Sequence, residues 1–309
     1  ITNSAAVSIV SGDDAQANLL HIRGESELNL SGTGKLSVLK EVFINGGRLN
    51  LSGDSSLSMG SSTVQSNLYL GHEKGTHGEA NVGGDAVLSI SWGIQMGWGG
   101  TASLSLTDNA KVYAMRNLEI GMSNSSTVEI NDNAYLYTMN NLFLGRYSTG
   151  EGKLIINGGK MYLDQDGGAG YGVLVVGGEG KGEFTINGGE LSMKEYIRLS
   201  NSSSADGVVN LNGGLVQTRG IHQYAGGDGN WGSGQINFNG GTIDTNGQDL
   251  RVNSTVSGVG TLTKTGAGLL AFSQSNTMTG DINVLQGGIV AANENALGTG
   301  TVLLNTGTT

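Results

Sequence analysis

The stretch Ile155-Ile156-Asn157-Gly158-Gly159-Lys160-Met161-Tyr162-Leu163 places apolar residues on each side of an Asn-Gly-Gly corner, and with Leu154 they follow the phrase apolar-x-apolar-Asn-Gly-Gly-x-apolar-x-apolar. Alternation with a period of two predicts strands, so the stretch predicts two short strands joined by a turn. The same phrase recurs at Asn45, Asn187, Asn212 and Asn239, and in degenerate form at residues 82–84, 107–109 and 131–133. A phrase that repeats at about two dozen residues is typical of a stacked repeat architecture.

A second phrase, apolar-x-apolar-Gly, falls between copies of the first. It occurs at residues 68–71, 94–97, 118–121 and 142–145. Each repeat therefore contains three short strands: one ends at the single glycine, one precedes the Asn-Gly-Gly corner and one follows it. Three strands with sharp corners predict one coil of an all-β, parallel β-helix, a solenoid in which each strand pairs with its counterpart one coil on. At roughly 4.8 Å per coil the stack would be about 60 Å long.

The composition favours the same fold. The 309 residues include 55 glycines, which suit corners that need positive φ, and no proline, which could not donate to a ladder paired on both edges. The glycines follow no three-residue period, which excludes collagen. Disorder is the rival for a chain rich in glycine, serine and asparagine, but the regular apolar columns argue against it.

Charge and residue usage narrow the classes of function. The net charge is -10, so electrostatic binding to nucleic acid or to anionic lipid is not expected. The absence of cysteine removes disulfides, thiol nucleophiles and thiolate metal sites. No apolar run is long enough to cross a membrane, so we expect no direct membrane insertion. The chain begins at Ile1 without a signal-peptide pattern, and we expect it to be a piece of a longer protein.

Residues 258–305 carry a more specific pattern. The phrase Leu262-Thr263-Lys264-Thr265-Gly266-Ala267-Gly268 is followed by Asn276 and by glycines at 280, 287, 288, 298 and 300. This pattern resembles the passenger-associated transport repeat of bacterial autotransporters. It departs from the family at Met278, where an aromatic residue is usual, although methionine also fills apolar space. We therefore divide the chain into irregular β-helix repeats at 1–257 and a transport repeat at 258–309 that continues the same elongated domain, truncated at both ends.

The resemblance implies a right-handed β-helix that is exported by type V secretion across the outer membrane of a Gram-negative-type bacterium. The expected location is extracellular or the cell surface, and the expected membrane partner is the protein's own C-terminal barrel, outside this fragment. The family supplies no catalytic residues for this motif. Its passengers include adhesins, proteases, esterases and inert stalks, so the fold alone leaves the function open.

The third strand of the repeat predicts the strongest candidate binding surface. If the coils are in register, its outward positions bring two lysines and four tyrosines together on three successive coils: Lys111, Tyr113, Tyr135, Tyr137, Lys160 and Tyr162. Aromatic faces could stack on sugar rings or on a peptide while phenols and ammonium groups donate hydrogen bonds. The alternative is an aromatic ladder that only stabilises neighbouring strands.

Two further columns predict ordinary structural roles. The outward positions of the first strand predict a mixed, solvated face: Tyr69, Gln95, Glu119, Phe143, Val175 and Arg198. The asparagines that share the Asn-Gly-Gly phrase, Asn45 included, predict a row at one corner of the helix, since asparagine tolerates left-handed conformations and bonds nearby backbone.

Other motifs are weaker. His72, Glu73, His77 and Glu79 could suggest a metal site, but they lie among glycines. Residues 164–168 and 177–181 only superficially resemble calcium loops. Gly53-Asp54-Ser55 resembles a serine-protease nucleophile motif, yet the repeat already explains it. Residues 168–170 open no helix and predict no dinucleotide site. We therefore predict no metal and no cofactor.

Three functions stay open from the sequence: a display stalk, an adhesin for a glycan or a host surface protein, and a carbohydrate-active enzyme. The enzyme would need paired carboxylates, for which Glu119, Glu129 and Asp164 are the candidates near the tyrosines. Longer connections at 164–172 and 222–234, with Tyr171, Tyr224 and Trp231, could also carry a site. We predict a non-catalytic surface passenger with a binding function.

Overall fold

A computed structural model describes residues 4–164, 172–223 and 233–309. The predicted fold is confirmed: the described chain is all-β, and its strands stack in parallel as a solenoid of about 12 coils with three strands per coil. Among the described residues, no helix is long and apolar enough to cross a membrane. The strands form three ladders, named A, B and C in the order in which the chain visits them.

Ladder A holds the strands that precede the Asn-Gly-Gly corner or its degenerate form. Its strands are Ala6–Ile9, Glu27–Leu30, Arg48–Leu51, His77–Val82, Thr101–Leu106, Ser125–Ile130, Glu151–Ile156, Lys181–Ile186, the first parts of Asp206–Gln217 and Ser233–Asp244, and Val256–Ser257.

Ladder B follows that corner. Its strands are Asp14–Ala17, Lys35–Val38, Ser56–Met59, Val87–Ile90, Lys111–Ala114, Tyr135–Thr138, Lys160–Leu163, Glu190–Met193, the last parts of Asp206–Gln217 and Ser233–Asp244, Leu262–Thr265, Ile282–Val284 and Val302–Leu304. Because two strands run through the corner without a break, ladders A and B belong to one sheet.

Ladder C holds the strands that, in the middle coils, are followed by the single glycine. Its strands are Leu20–Arg23, Val42–Asn45, Leu68–Leu70, Ile94–Met96, Leu118–Ile120, Leu142–Leu144, Leu174–Val176, Tyr196–Leu199, Gly220–Gln223, Leu250–Val252, Leu269–Phe272 and Gly288–Ala291.

The inward residues of all three ladders form one continuous apolar core that extends from Ile9 to Ala296. In the strand Leu68–Leu70, for example, both leucines are fully buried while the central Tyr69 points outward. Each coil adds its own layer to this column, so burial of apolar surface grows with the number of coils. Met278 is part of this core.

Coil length varies while the ladders stay in register. Bonded asparagines on ladder A are 21 residues apart at Asn29 and Asn50 but 31 apart at Asn50 and Asn81. Ser257 lies 20 residues after its bonded partner Asn237. The extra residues of the long coils lie at the corners, which leaves the core positions unchanged.

The single glycine at the end of a ladder C strand has a steric reason. Gly121 has a φ of +70°, and a Cβ atom there would lie 2.3 Å from the carbonyl group of Glu151 on the next coil. In the degenerate A–B corners, Asp108 and Asp132 take positive φ values of 58° and 55° instead. Aspartate is among the residues that adopt this conformation most readily.

The predicted asparagine row is correct except at Asn45. Side-chain amides bond in series along the A–B corner at 2.7 to 3.0 Å, joining Asn131, Asn157, Asn187, Asn212 and Asn239. Asn45 instead ends a ladder C strand, and its Oδ1 accepts hydrogen bonds from the backbone N–H groups of His72 and Glu73. The Asn-Gly-Gly phrase thus serves two different corners of the helix.

Lys264 is the unusual core residue of the last coils, with an exposed fraction of 0%. Its ammonium group donates to the carbonyl oxygens of Thr265 and Gly266 at 2.7 Å and of Gln286 at 3.0 Å, and to Thr245 Oγ1 at 3.2 Å. Burial lowers the pKa of Lys264, and the charge of Asp244 acts in the opposite direction. The lysine ties its own turn to the coils on both sides.

Candidate functional site

The four tyrosines predicted to share a surface lie together on ladder B. Tyr113 pairs in register with Tyr137, which pairs with Tyr162, and Tyr135 is flanked by Lys111 and Lys160. The ring centroids of Tyr137 and Tyr162 are 5.9 Å apart and nearly parallel, and Tyr113 lies 6.2 Å from Tyr137 and 5.9 Å from Tyr135. We call Tyr113, Tyr135, Tyr137 and Tyr162 the tyrosine surface.

Three of the four tyrosines occupy a column that the neighbouring coils fill with serine. The outward column that contains Tyr113, Tyr137 and Tyr162 continues as serine on the coils before and after: Ser37, Ser58, Ser89 and Ser192. Ladder B therefore pairs in register without aromatic rings at this position. The aromatic ladder is confined to three coils, and each of its rings keeps part of its surface exposed.

Some of the polar groups around the tyrosine surface form hydrogen bonds or ion pairs with one another. Tyr137 donates its phenol O–H to Asp164 at 3.3 Å. Burial, together with the Asp164 carboxylate, raises the pKa of Tyr137 to about 12, so the phenol is protonated at neutral pH. Asp164 also pairs with Lys194 at 2.6 Å. These contacts fix the orientation of the central ring.

The two lysines that flank the tyrosines differ. Lys160 forms an ion pair with Glu190 at 2.9 Å, although its side chain is largely exposed. Lys111 is exposed and forms no ion pair with a described residue. Lys111 is therefore the flanking ammonium group with free donors.

A surface cleft of about 380 Å³ continues from the last tyrosine. Tyr162 lines it together with Ser192, Lys194, Gln217 and Arg219, which lie on the following coils. The tyrosine surface and this cleft form one strip that runs along the axis of the solenoid. The strip is long and shallow, which is the shape that would suit an extended polymer.

The outward column of ladder C contains a second aromatic cluster. The rings of His21, Phe43 and Tyr69 stack at centroid distances of 4.8 Å and 4.6 Å, with planes 8° from parallel. The column was predicted only from Tyr69 onward, yet the triplets around His21 and Phe43 have the same apolar-x-apolar pattern. Trp98, with 45% of its surface exposed, extends the cluster from a corner by stacking on His72.

The prediction of a mixed, solvated face on ladder C is wrong at Val175 and at Glu119, since each keeps an exposed fraction of only 4%. The burial of Glu119 involves specific polar contacts. Its Oε1 pairs with Arg146 at 2.9 Å, and the Arg146 guanidinium lies 4.2 Å from the centroid of Phe143. Burial raises the pKa of Glu119, while the charge of Arg146 and the amides of Asn117 and Gln95 act against the rise. Arg146, from the corner after the next ladder C strand, therefore covers Glu119 and Phe143 on this column.

The three carboxylates considered for paired catalysis lie on different sides of the helix. Glu119 is on ladder C, Glu129 is on ladder A and Asp164 follows a ladder B strand. This topology does not bring them together as an acid and base pair. Ser55, of the protease-like phrase, is fully buried at an A–B corner and donates to the carbonyl of Leu30.

The remaining weak candidates have other contacts or lie outside the described residues. Where the chain is described, no group of three or more histidine, cysteine or acidic side chains could hold a metal. Glu73 pairs with Arg23 at 2.6 Å, and Glu79 pairs with Arg48 at 2.9 Å. Residues 165–171 and 224–232 lie outside the described residues, and with them most of the calcium-like phrase, residues 168–170, Tyr171, Tyr224 and Trp231.

Comparisons with protein-family models, with curated protein sequences and with solved structures find no match for this chain.

Proposed function

We propose that this chain is a non-catalytic passenger module of a bacterial surface or secreted protein, and that it binds a glycan through the tyrosine surface. The observation that carries the proposal is the restriction of the aromatic rings to three successive coils of ladder B. Sugars bind proteins by placing the apolar face of a ring against an aromatic side chain while hydroxyls bond polar groups nearby. The cleft beyond Tyr162 supplies those polar groups.

The serine column argues against a purely structural role for the rings. If stacking along ladder B were needed for stability, aromatic residues would be expected on more of its coils. Instead, serine takes the same position at Ser58, Ser89 and Ser192. Partly exposed tyrosines on a solvent-facing strand suit recognition, because they offer large apolar area together with a hydroxyl group.

The proposed export rests on residues 258–305 and their resemblance to the autotransporter transport repeat. Its support is the sequence pattern together with the regular short coils and the buried Lys264 of this region. The test is to place the chain before an autotransporter barrel in a Gram-negative host and to measure its protease accessibility on intact cells. A folded chain retained in the periplasm would contradict the export proposal without affecting the binding proposal.

Binding is tested with the triple variant Tyr113→Ser/Tyr137→Ser/Tyr162→Ser on an immobilised glycan array. Serine is the residue of the neighbouring coils, so the variant is expected to keep the fold. We expect loss of the array signals by about tenfold or more, which corresponds to about 1.4 kcal/mol of binding free energy. An unchanged array pattern for a folded variant would exclude the tyrosine surface.

Two matched variants separate the contribution of ring stacking from that of the hydroxyl groups and from the general effect of losing a tyrosine. The triple Tyr→Phe variant keeps the rings but removes the hydroxyls, and it should retain part of the binding. Tyr147→Ser removes a partly exposed tyrosine from the corner after a ladder C strand and should leave binding unchanged. A loss of stability with unchanged glycan binding in the triple serine variant would instead assign the rings to strand packing.

A carbohydrate-active enzyme is the second candidate, and the buried carboxyl of Glu119 is the observation that favours it. A glycosidase general acid needs a raised pKa, which Glu119 has. The residues around Glu119 that line a common cleft include no second carboxylate, whereas hydrolysis with inversion or retention generally uses two. Incubation with a polysaccharide panel tests the alternative, and release of reducing ends that Glu119→Gln abolishes would favour it over binding.

A further inference from the structure

A polar cleft of about 260 Å³ lies at the corner between ladders B and C, apart from the tyrosine surface. Its lining residues come from four successive coils and are Asn67, Trp92, Gly93, Gln95, Arg116, Asn117, Glu119 and Asn140. Gln95 and Glu119 are register partners on ladder C, and the remaining residues belong to the corners that enter ladder C. We call it the Trp92 cleft.

Two buried acceptor atoms in the Trp92 cleft are incompletely hydrogen-bonded, although the side-chain amides of Asn117 and Gln95 approach the Glu119 carboxyl group. Glu119 Oε2 and Asn140 Oδ1 are shielded from solvent, and neither accepts a well-formed hydrogen bond from a described residue. The two residues keep exposed fractions of only 4% and 6%. A buried polar atom without a partner costs free energy, so native proteins rarely retain two in one place without a reason.

The fold itself does not require a carboxylate at this position. The neighbouring coils of ladder C carry Gln95 and Phe143 in register with Glu119, and Val175 follows. An apolar residue would pack on the same strand without an unpaired oxygen. The retained acceptors therefore point to a ligand that donates hydrogen bonds to them.

The other walls of the cleft indicate the chemistry of that ligand. Trp92 carries the Arg116 guanidinium 4.7 Å from its ring centroid, which makes a flat, partly exposed aromatic wall. Gln95 and Asn117 line the cleft with side-chain amides, which bond the Glu119 carboxyl group and keep their carbonyl oxygens as acceptors. Glu119 is the only carboxylate in the lining, whereas hard cations such as Ca²⁺ take six to eight oxygen ligands. The volume lies below the roughly 300–1,000 Å³ that is typical of drug-sized ligands.

We propose that the Trp92 cleft binds a single neutral sugar unit, whose hydroxyls donate to Glu119 Oε2 and Asn140 Oδ1 and whose ring lies against Trp92. A pyranose combines the several hydroxyl donors and the apolar ring face that these walls require. The site goes beyond the proposed function, because it uses different residues on a different corner of the solenoid and does not depend on the tyrosine surface.

The test follows the Trp92 indole N–H resonance of ¹⁵N-labelled protein during titration with the methyl glycosides of glucose, galactose, mannose and N-acetylglucosamine. The sequence has three tryptophans, and Trp92→Phe assigns the resonance. We expect a saturable shift with at least one glycoside. Glu119→Gln should weaken that binding by about tenfold, as for a hydrogen bond to a charged group. Glu129→Gln, on ladder A, should leave it unchanged.

Each outcome is decisive. Absence of a saturable Trp92 shift with all four glycosides, or equal affinity in wild type and a folded Glu119→Gln variant, would overturn the proposal. Binding of glucosamine without binding of the neutral glycosides would assign the cleft to a cation instead. The triple serine variant of the tyrosine surface should retain the Trp92 shift, so failure of one site is distinguishable from failure of the other.

Discussion

Asn187 donates its side-chain amide to Oδ1 of Asn157 at 2.7 Å, and this bond joins two successive coils at the same A–B corner. Asn157 in turn donates to Asn131, while Asn187 accepts from Asn212. Asn157, Asn187 and Asn212, inside the row, thus each donate one bond to the row and accept one from it. Removal of one of these three breaks two hydrogen bonds and divides the row into two parts.

Replacement of Asn187 by alanine should lower the free energy of unfolding by about 1 kcal/mol. Two hydrogen bonds between exposed side-chain amides are lost, and water can replace them in part. Urea unfolding followed by circular dichroism measures the change. Asn201→Ala is the matched control, since Asn201 also lies at a turn but forms no side-chain hydrogen bond with a described residue. Equal losses in both variants would contradict a role for the row.

The tyrosine surface makes a prediction about alkaline pH. Tyr137 should be a late-ionising phenol, with a pKa of about 12, because burial and then Asp164 both disfavour the phenolate. Near-ultraviolet absorbance during alkaline titration should show a late step that is missing in Tyr137→Phe. Asp164→Asn should move this step to lower pH without returning it to 10, since burial is the larger cause. A Tyr137→Phe titration that retains the late step would contradict the assignment.

Glu119 makes a prediction about mildly acidic pH. Burial raises the pKa of Glu119 in the folded chain above the 4.5 of the unfolded chain. At a pH between the unfolded and the folded pKa, the folded chain therefore holds a proton that the unfolded chain has released. Stability from this residue is therefore largest below pH 4.5 and falls as pH rises through the raised pKa. The difference in unfolding free energy between wild type and Glu119→Gln, measured by urea titration across this range, should show the fall. A difference that stays constant with pH would contradict it.

The contribution of Lys264 to stability should change with pH in the opposite direction, in the alkaline range. Its folded pKa lies below 10.5, so between the two values the unfolded chain holds a proton that the folded chain has lost, and stability rises with pH. Lys264→Met removes this dependence and leaves the carbonyls of Gly266 and Gln286 without their buried donor, at a cost of about 1–3 kcal/mol. Thermal unfolding of both proteins as a function of pH measures both effects. If the two curves are parallel, Lys264 does not titrate as proposed.

The register of the coils was predictable because one face of every strand is buried. A shift of one residue would place the core leucines outside, so the period of two fixes which residues become neighbours. Tyr113, Tyr137 and Tyr162 therefore lie in the predicted column. The length of the corners did not affect this prediction, since inserted residues leave the strand pairing unchanged.

The corners were harder to predict. Asn45 and Asn157 share the same Asn-Gly-Gly phrase but lie at different corners, because the phrase specifies a tight turn and not its place in the coil. The burial of Glu119 depends on Arg146, which belongs to the corner after the next ladder C strand. The Trp92 cleft likewise combines residues from four corners, which no single repeat contains. Contacts of this kind follow from the shapes of the turns, which the apolar period does not encode.

The variation in coil length has a consequence for how such a surface can change. Since the corners accept additional residues while the ladders hold their spacing, a new loop can be acquired at one coil without disturbing recognition elsewhere on the rod. Each flank can then diversify independently, and the same scaffold can accumulate several specificities along its length.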